Sequence, residues 1–152
     1  MAGGPGAFAH QHGDPRSLAE RIEAQLRARV EEAAEMASLD LMVALRARAG
    51  RPAPEDGNEH DRAELSALAF EFLGALRSAL VAALPEADRV ALEAAERRAE
   101  DPRARALAGH ALLARRLPDY WQRFEAARVS FAESRMAAVG EERGWLRRMF
   151  GR

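Results

Sequence analysis

The sequence predicts an all-α fold, a single helical bundle of four or five helices with a C-terminal amphipathic tail. Three observations carry this. Ala, Leu, Arg and Glu dominate the 152 residues, Lys and Thr are absent and Ile22 is the single Ile, so strong helix formers abound and β-branched residues are scarce. Apolar residues recur every three or four positions over long stretches, the period of a helix. The stretches are separated by Asp-Pro or Leu-Pro-acid punctuation, which puts a side-chain acceptor, or a residue with no N–H to leave unpaired, where a helix begins.

Taken in order, residues 1–13 have turn composition without periodicity and read as a flexible arm. Asp14-Pro15 opens a long helix on which Leu18, Ile22, Leu26, Val30, Ala33, Ala37, Leu41 and Leu45 share a face, ending before Gly50 and Pro52. Residues 50–59 form a loop in which Asp56 or Asn58 is placed to cap the next helix. There Leu65, Leu68, Phe72, Leu76 and Leu80 make one face, widened by Phe70, Leu73 and Val81, so this helix is expected to be the most buried element and to pair antiparallel with the first. Leu84-Pro85-Glu86, Asp101-Pro102-Arg103 and Leu117-Pro118-Asp119 then start helices near 86–99, 102–116 and 119–139. The two Leu-Pro breaks lie 33 residues apart, a spacing like that of tetratricopeptide arrays, but no second position matches between the units and no repeat is assigned. The bundle domain is thus expected over 14–140 and the tail over 141–152.

Composition excludes several functions. With no Cys there are no disulfides, thiolate metal sites or Cys nucleophiles. The chain carries −1 in all but +4 in its last ten residues, from Arg143, Arg147, Arg148 and Arg152, so residues 1–142 carry −5. An acidic body is a poor surface for nucleic acid, and none is expected as partner. No secretory signal and no apolar run of membrane-spanning length is present, so the expected location is cytoplasmic, peripheral on the inner face of a membrane at most.

Few constellations suggest chemistry. His10 and His12 form an H-x-H pair without a third ligand nearby. His60-Asp61 is similar to the ligand pair of metal-dependent phosphohydrolases of the HD type, yet it follows a polar loop rather than lying on an apolar helix among further ligands. The Glu-x-x-His of di-iron bundles is absent, as are a phosphate loop, G-x-S-x-G and H-E-x-x-H. Glu31, Glu32 and Glu35 with Arg27 and Arg29 read as a solvated helix face. His110, among small apolar residues, and the cluster Tyr120, Trp121 and Phe124 read as packed core, with a ligand pocket as the competing assignment. No catalytic residue, metal or cofactor is expected, and the chain is read as a non-enzyme.

The tail holds the one feature that points to a task. In "GWLRRMFGR" a helix would gather Trp145, Leu146, Met149 and Phe150 on one arc, with Arg147 and Arg148 opposite. That is the layout of an interfacial helix, apolar groups toward acyl chains and cations toward headgroups. The segment from Glu141 to Gly151 resembles the C-terminal membrane-targeting helix of the Min-system cell-division ATPase, and the resemblance implies a membrane contact by those four apolar residues. Nothing upstream resembles that ATPase; its nucleotide-binding loop is absent. Gly140 and Gly144 are expected to loosen the join to the fifth helix.

The expected function is therefore a non-enzymatic adaptor or scaffold that binds a protein partner and sits on an anionic membrane surface through its tail. A second copy, joined along the first helix, is the further partner expected. Three readings compete: a ligand-binding sensor or small-molecule enzyme built around His110, Tyr120, Trp121 and Phe124; a tail that docks in a partner's groove; and a tail that folds back to cap its own bundle.

Overall fold

The computed structural model describes residues 15–151, and their regular elements are five helices: α1 (Pro15–Arg48), α2 (Glu59–Val81), α3 (Glu86–Arg97), α4 (Pro102–Arg116) and α5 (Tyr120–Phe150). The all-α bundle expected from composition and periodicity is what forms, with no strand among the described residues. The arm over 1–13 with His10 and His12, the Asp14 cap and Arg152 lie outside the described residues.

Local chemistry sets most boundaries. α1 stops in a Schellman motif: Gly50 has φ +70°, its N–H donates to the Ala47 carbonyl at 3.1 Å, and the Arg51 N–H reaches the Arg46 carbonyl at 2.7 Å. Of the two candidate caps for α2, Asn58 takes the role, its side-chain oxygen accepting the Asp61 N–H at 3.1 Å. Asp101 caps α4 by accepting the Ala104 N–H at 2.8 Å, with Pro102 in the first turn. Asp119 makes no such cap; its carboxylate instead accepts from Arg123 at 2.8 Å one turn along.

Arg46 near the end of α1 pairs with Asp61 and Glu64 near the start of α2, Met42 clusters with Leu68, and Ala34 shares a cleft wall with Leu73, so the contacts run in opposite directions along the two helices, antiparallel as expected. The core forms between α1, α2, α3, α4 and the first half of α5. Val30, Ala34, Phe72, Leu73, Leu76, Leu80, Leu92, Leu113, Tyr120 and Phe124 belong to one cluster, and Leu41, Met42 and Leu68 to a second. Phe131 packs against both clusters, its ring 5.5 Å from that of Phe72.

Four expectations are corrected. The most enclosed helix is α4, not α2: six consecutive residues, 108–113, are buried on all sides, and α4 meets each of the other four helices. Its Gly109 permits this, because a Cβ there would meet Leu92 Cδ1 at 3.1 Å and Glu96 Cγ at 3.2 Å across the α3 contact. α3 ends at Arg97, two residues short of the expected limit. Leu18 and Ile22 are exposed, 52% and 42%, because α1 spans 34 residues against 23 in α2 and its first turns overhang the bundle. Finally, α5 does not stop near residue 139 but continues unbroken to Phe150, through Gly140 and Gly144. Each helical Gly costs ~1 kcal/mol relative to Ala, and the strong formers around them (Glu, Arg, Leu, Met) together with the contacts of Arg143 and Leu146 oppose that cost.

Candidate functional site

His110, Tyr120, Trp121 and Phe124 are brought together, and they satisfy one another. Only a carbonyl faces His110 Nε2, that of Leu73 at 2.8 Å, so Nε2 carries the proton and donates. Nδ1 is then the acceptor for the Tyr120 hydroxyl at 2.9 Å. Burial lowers the His110 pKa to about 4, with the Leu73 carbonyl and Glu96 acting in the opposite direction, and burial raises that of Tyr120. The rings of Tyr120 and Trp121 meet edge to face at 5.0 Å, Phe124 lies 5.3 Å from Trp121, and the Arg29 guanidinium covers Trp121 at 4.1 Å. The imidazole uses both nitrogens inside the protein, which leaves none to meet a ligand.

His60 is exposed on the first turn of α2, while Asp61 is committed to structure. One Asp61 oxygen accepts from Arg46 at 2.6 Å and the other from the Glu55 N–H at 2.9 Å, tying the 49–58 loop to both helices. The hydrogen bond from Arg46 and then that from Glu55 hold the Asp61 carboxyl below the usual carboxylate range. Among the described residues no three His, Asp or Glu side chains gather as a metal site. Arg46→Gln should therefore lower the melting temperature and expose the 49–58 loop to protease, since two carboxylates lose their shared cation. Limited proteolysis at neutral pH checks this; unchanged cleavage would mean the loop is held by its backbone alone.

The end of α5 is the principal candidate site. Trp145, Leu146, Met149 and Phe150 are exposed at 50, 43, 60 and 78%, and Arg147 and Arg148 lie on the opposite side of the helix. Arg143 donates to the Arg48 carbonyl at the end of α1, and Leu146 reaches a cleft of about 620 Å³ shared with Met42, Leu45, Leu68 and Val139. Those two contacts hold one edge of the helix against the bundle and leave the remaining apolar arc uncovered.

A second cleft, of about 520 Å³, opens between α1, α2 and α4. Its floor is small and apolar, from Ala34, Ala63, Ala67, Ala106 and Leu107, with Phe70 standing 45% exposed beside it. The rim carries Glu31, Glu35, Asp101 and Arg103. Arg103 bonds Glu31 Oε2 at 2.7 Å and Glu35 Oε1 at 3.5 Å, so the one cation on the rim pairs with two of its three carboxylates and the mouth is acidic. Sequence reasoning missed this site: the partner of Glu31 lies 72 residues away on another helix, and no local pattern announces it.

No helix among the described residues is long and apolar enough to cross a membrane. In comparisons with known proteins, the chain matches no family model, and no curated protein and no solved structure is significantly similar to it.

Proposed function

We propose that this chain is a non-enzymatic helical adaptor, held peripherally at an anionic membrane surface by the end of α5 while its bundle engages a protein partner. The observation that carries this reading is the uncovered arc of Trp145, Leu146, Met149 and Phe150 backed by Arg147 and Arg148. Two large aromatic and two aliphatic side chains on the last two turns of one helix are a costly surface to leave in water.

Energetics favour the same assignment. Burying four such side chains from full exposure gains at most ~6–12 kcal/mol, and at their exposures of 43–78% little more than half of that is still to be gained. An unstructured segment would give most of that back on ordering, at ~1–2 kcal/mol per residue. Here the residues are already helical as an extension of α5, so much of that ordering cost is met within the folded protein. Each Arg near an anionic leaflet adds about 1 kcal/mol. One such helix gives reversible attachment, and two on a dimer would hold far better through effective concentration.

Sedimentation with phosphatidylglycerol vesicles tests the reading, the parent chain being compared with Trp145→Glu. The sensor or enzyme alternative receives less support: His110, Tyr120 and Phe124 are buried and the imidazole is saturated by internal partners.

A further inference from the structure

We propose that the acidic cleft between α1, α2 and α4 is a docking site for the end of α5 of a second copy of this chain. The cleft and the helix end are complementary in three respects. The floor is built from alanines and so leaves room for large side chains, while the helix end offers Trp145, Met149 and Phe150, which its own bundle leaves uncovered. The mouth carries three carboxylates against Arg103 alone, while the helix end carries Arg143, Arg147 and Arg148 and no acid beyond Glu142. Glu31 and Glu35 each engage Arg103 through one oxygen, Oε2 and Oε1, which leaves the other oxygen of each for an incoming guanidinium.

The contact is made in trans. In its own molecule the end of α5 lies against the end of α1, where Arg143 meets the Arg48 carbonyl and Leu146 the neighbouring cleft. α5 is one unbroken helix, so its last turns cannot swing to the α4 side without melting. Two copies can exchange ends reciprocally, giving a closed dimer with two such contacts. The same apolar arc cannot face a membrane and a cleft together, so docking withholds the end of α5 from the membrane. The inference does not depend on membrane binding, because it rests on the cleft.

The experiment uses a fluorescent peptide of residues 139–152 and, as acceptor, the full chain carrying Trp145→Glu, whose own helix end no longer competes. Fluorescence anisotropy should show saturable binding that weakens as salt rises. Glu35→Arg in the acceptor should raise Kd at least ~tenfold through like-charge juxtaposition. A peptide carrying Arg147→Glu and Arg148→Glu should then bind the Glu35→Arg acceptor more tightly than it binds the unreversed one. Ala63→Trp, at an exposed position lining this cleft, should block binding by filling the floor without disturbing the fold, as checked by circular dichroism. Binding that ignores both Ala63→Trp and the charge reversal overturns the proposal, as does absence of binding with a parent chain that stays monomeric in sedimentation at high concentration. If the peptide binds vesicles but not the acceptor, the cleft proposal falls and membrane attachment stands; if it binds the acceptor but not vesicles, the reverse holds.

Discussion

Lowering the pH from 7 to 4 should remove about 3 kcal/mol of folding stability through His110 alone. In the folded chain its pKa is lowered to about 4, with desolvation as the leading cause, against an ordinary value of 6.5. Between those values the unfolded chain binds a proton that the folded chain refuses, so stability rises with pH across this window. It is fully present above pH 6.5 and is lost as pH falls toward 4. Glu96 and Arg77, the charged groups acting on the ring, pull in opposite directions and partly cancel. His110→Leu isolates the effect, because it removes the titration and leaves the Tyr120 hydroxyl buried without its acceptor, at a cost of about 1–3 kcal/mol at pH 7. Urea unfolding of parent and variant from pH 4 to pH 7 should give free-energy curves that converge and cross as the pH falls. Asp61, Asp119 and Glu125, held below the usual carboxylate range chiefly by hydrogen bonds from Arg46, Arg123 and Arg128, lose their contribution at lower pH in both proteins and drop out of the difference. Parallel curves would show that the imidazole accepts a proton in the folded state.

His110 also marks where sequence reading stops. The residue and its aromatic neighbours can be found by their setting, but Leu73 lies 37 positions away on another helix, and only packing turns a candidate ligand into a histidine with both nitrogens used. What is legible is local. The Gly50 motif, the Asn58 and Asp101 caps and the helical period are each decided by residues within about one turn, where propensity and hydrogen bonding act. Boundaries failed where a tertiary contact outweighed propensity, as at Gly140 and Gly144, where Arg143 between them and Leu146 beyond them still touch the bundle. The face of α1 failed for a different reason: its period continues to Leu18 and Ile22, but the partner helices are shorter and leave those turns overhanging. For the candidate site the same division holds. The amphipathic arc over residues 145–150 is a property of one helix and is visible in the sequence, whereas the acidic cleft needs α1, α2 and α4 assembled and is not.

At the end of α5, Trp145→Glu should cut sedimentation with phosphatidylglycerol vesicles by at least tenfold. The change removes a large apolar group whose full burial is worth ~1.5–3 kcal/mol and puts a carboxylate on the arc that meets the acyl chains. Trp145 is already half buried in the free protein, so roughly half of that burial is lost, and the cost of bringing a carboxylate against acyl chains carries the total past the ~1.4 kcal/mol that corresponds to a factor of ten. Arg147→Glu with Arg148→Glu acts through another term. Those side chains face away from the arc, so the double variant should lose binding mainly at low salt, where exposed charges are not yet screened over ~8 Å. It should leave whatever weak binding the parent shows to neutral phosphatidylcholine vesicles. Neither variant should move the thermal midpoint of the bundle appreciably, because Trp145 is half exposed and packs in neither core cluster. A large loss of thermal stability in Trp145→Glu would instead make the end of α5 a cap on its own bundle. A parent chain that stays in the supernatant at low salt would end the membrane reading and leave the uncovered arc to a protein groove, for which the cleft carrying Glu31, Glu35 and Asp101 supplies the matching charge.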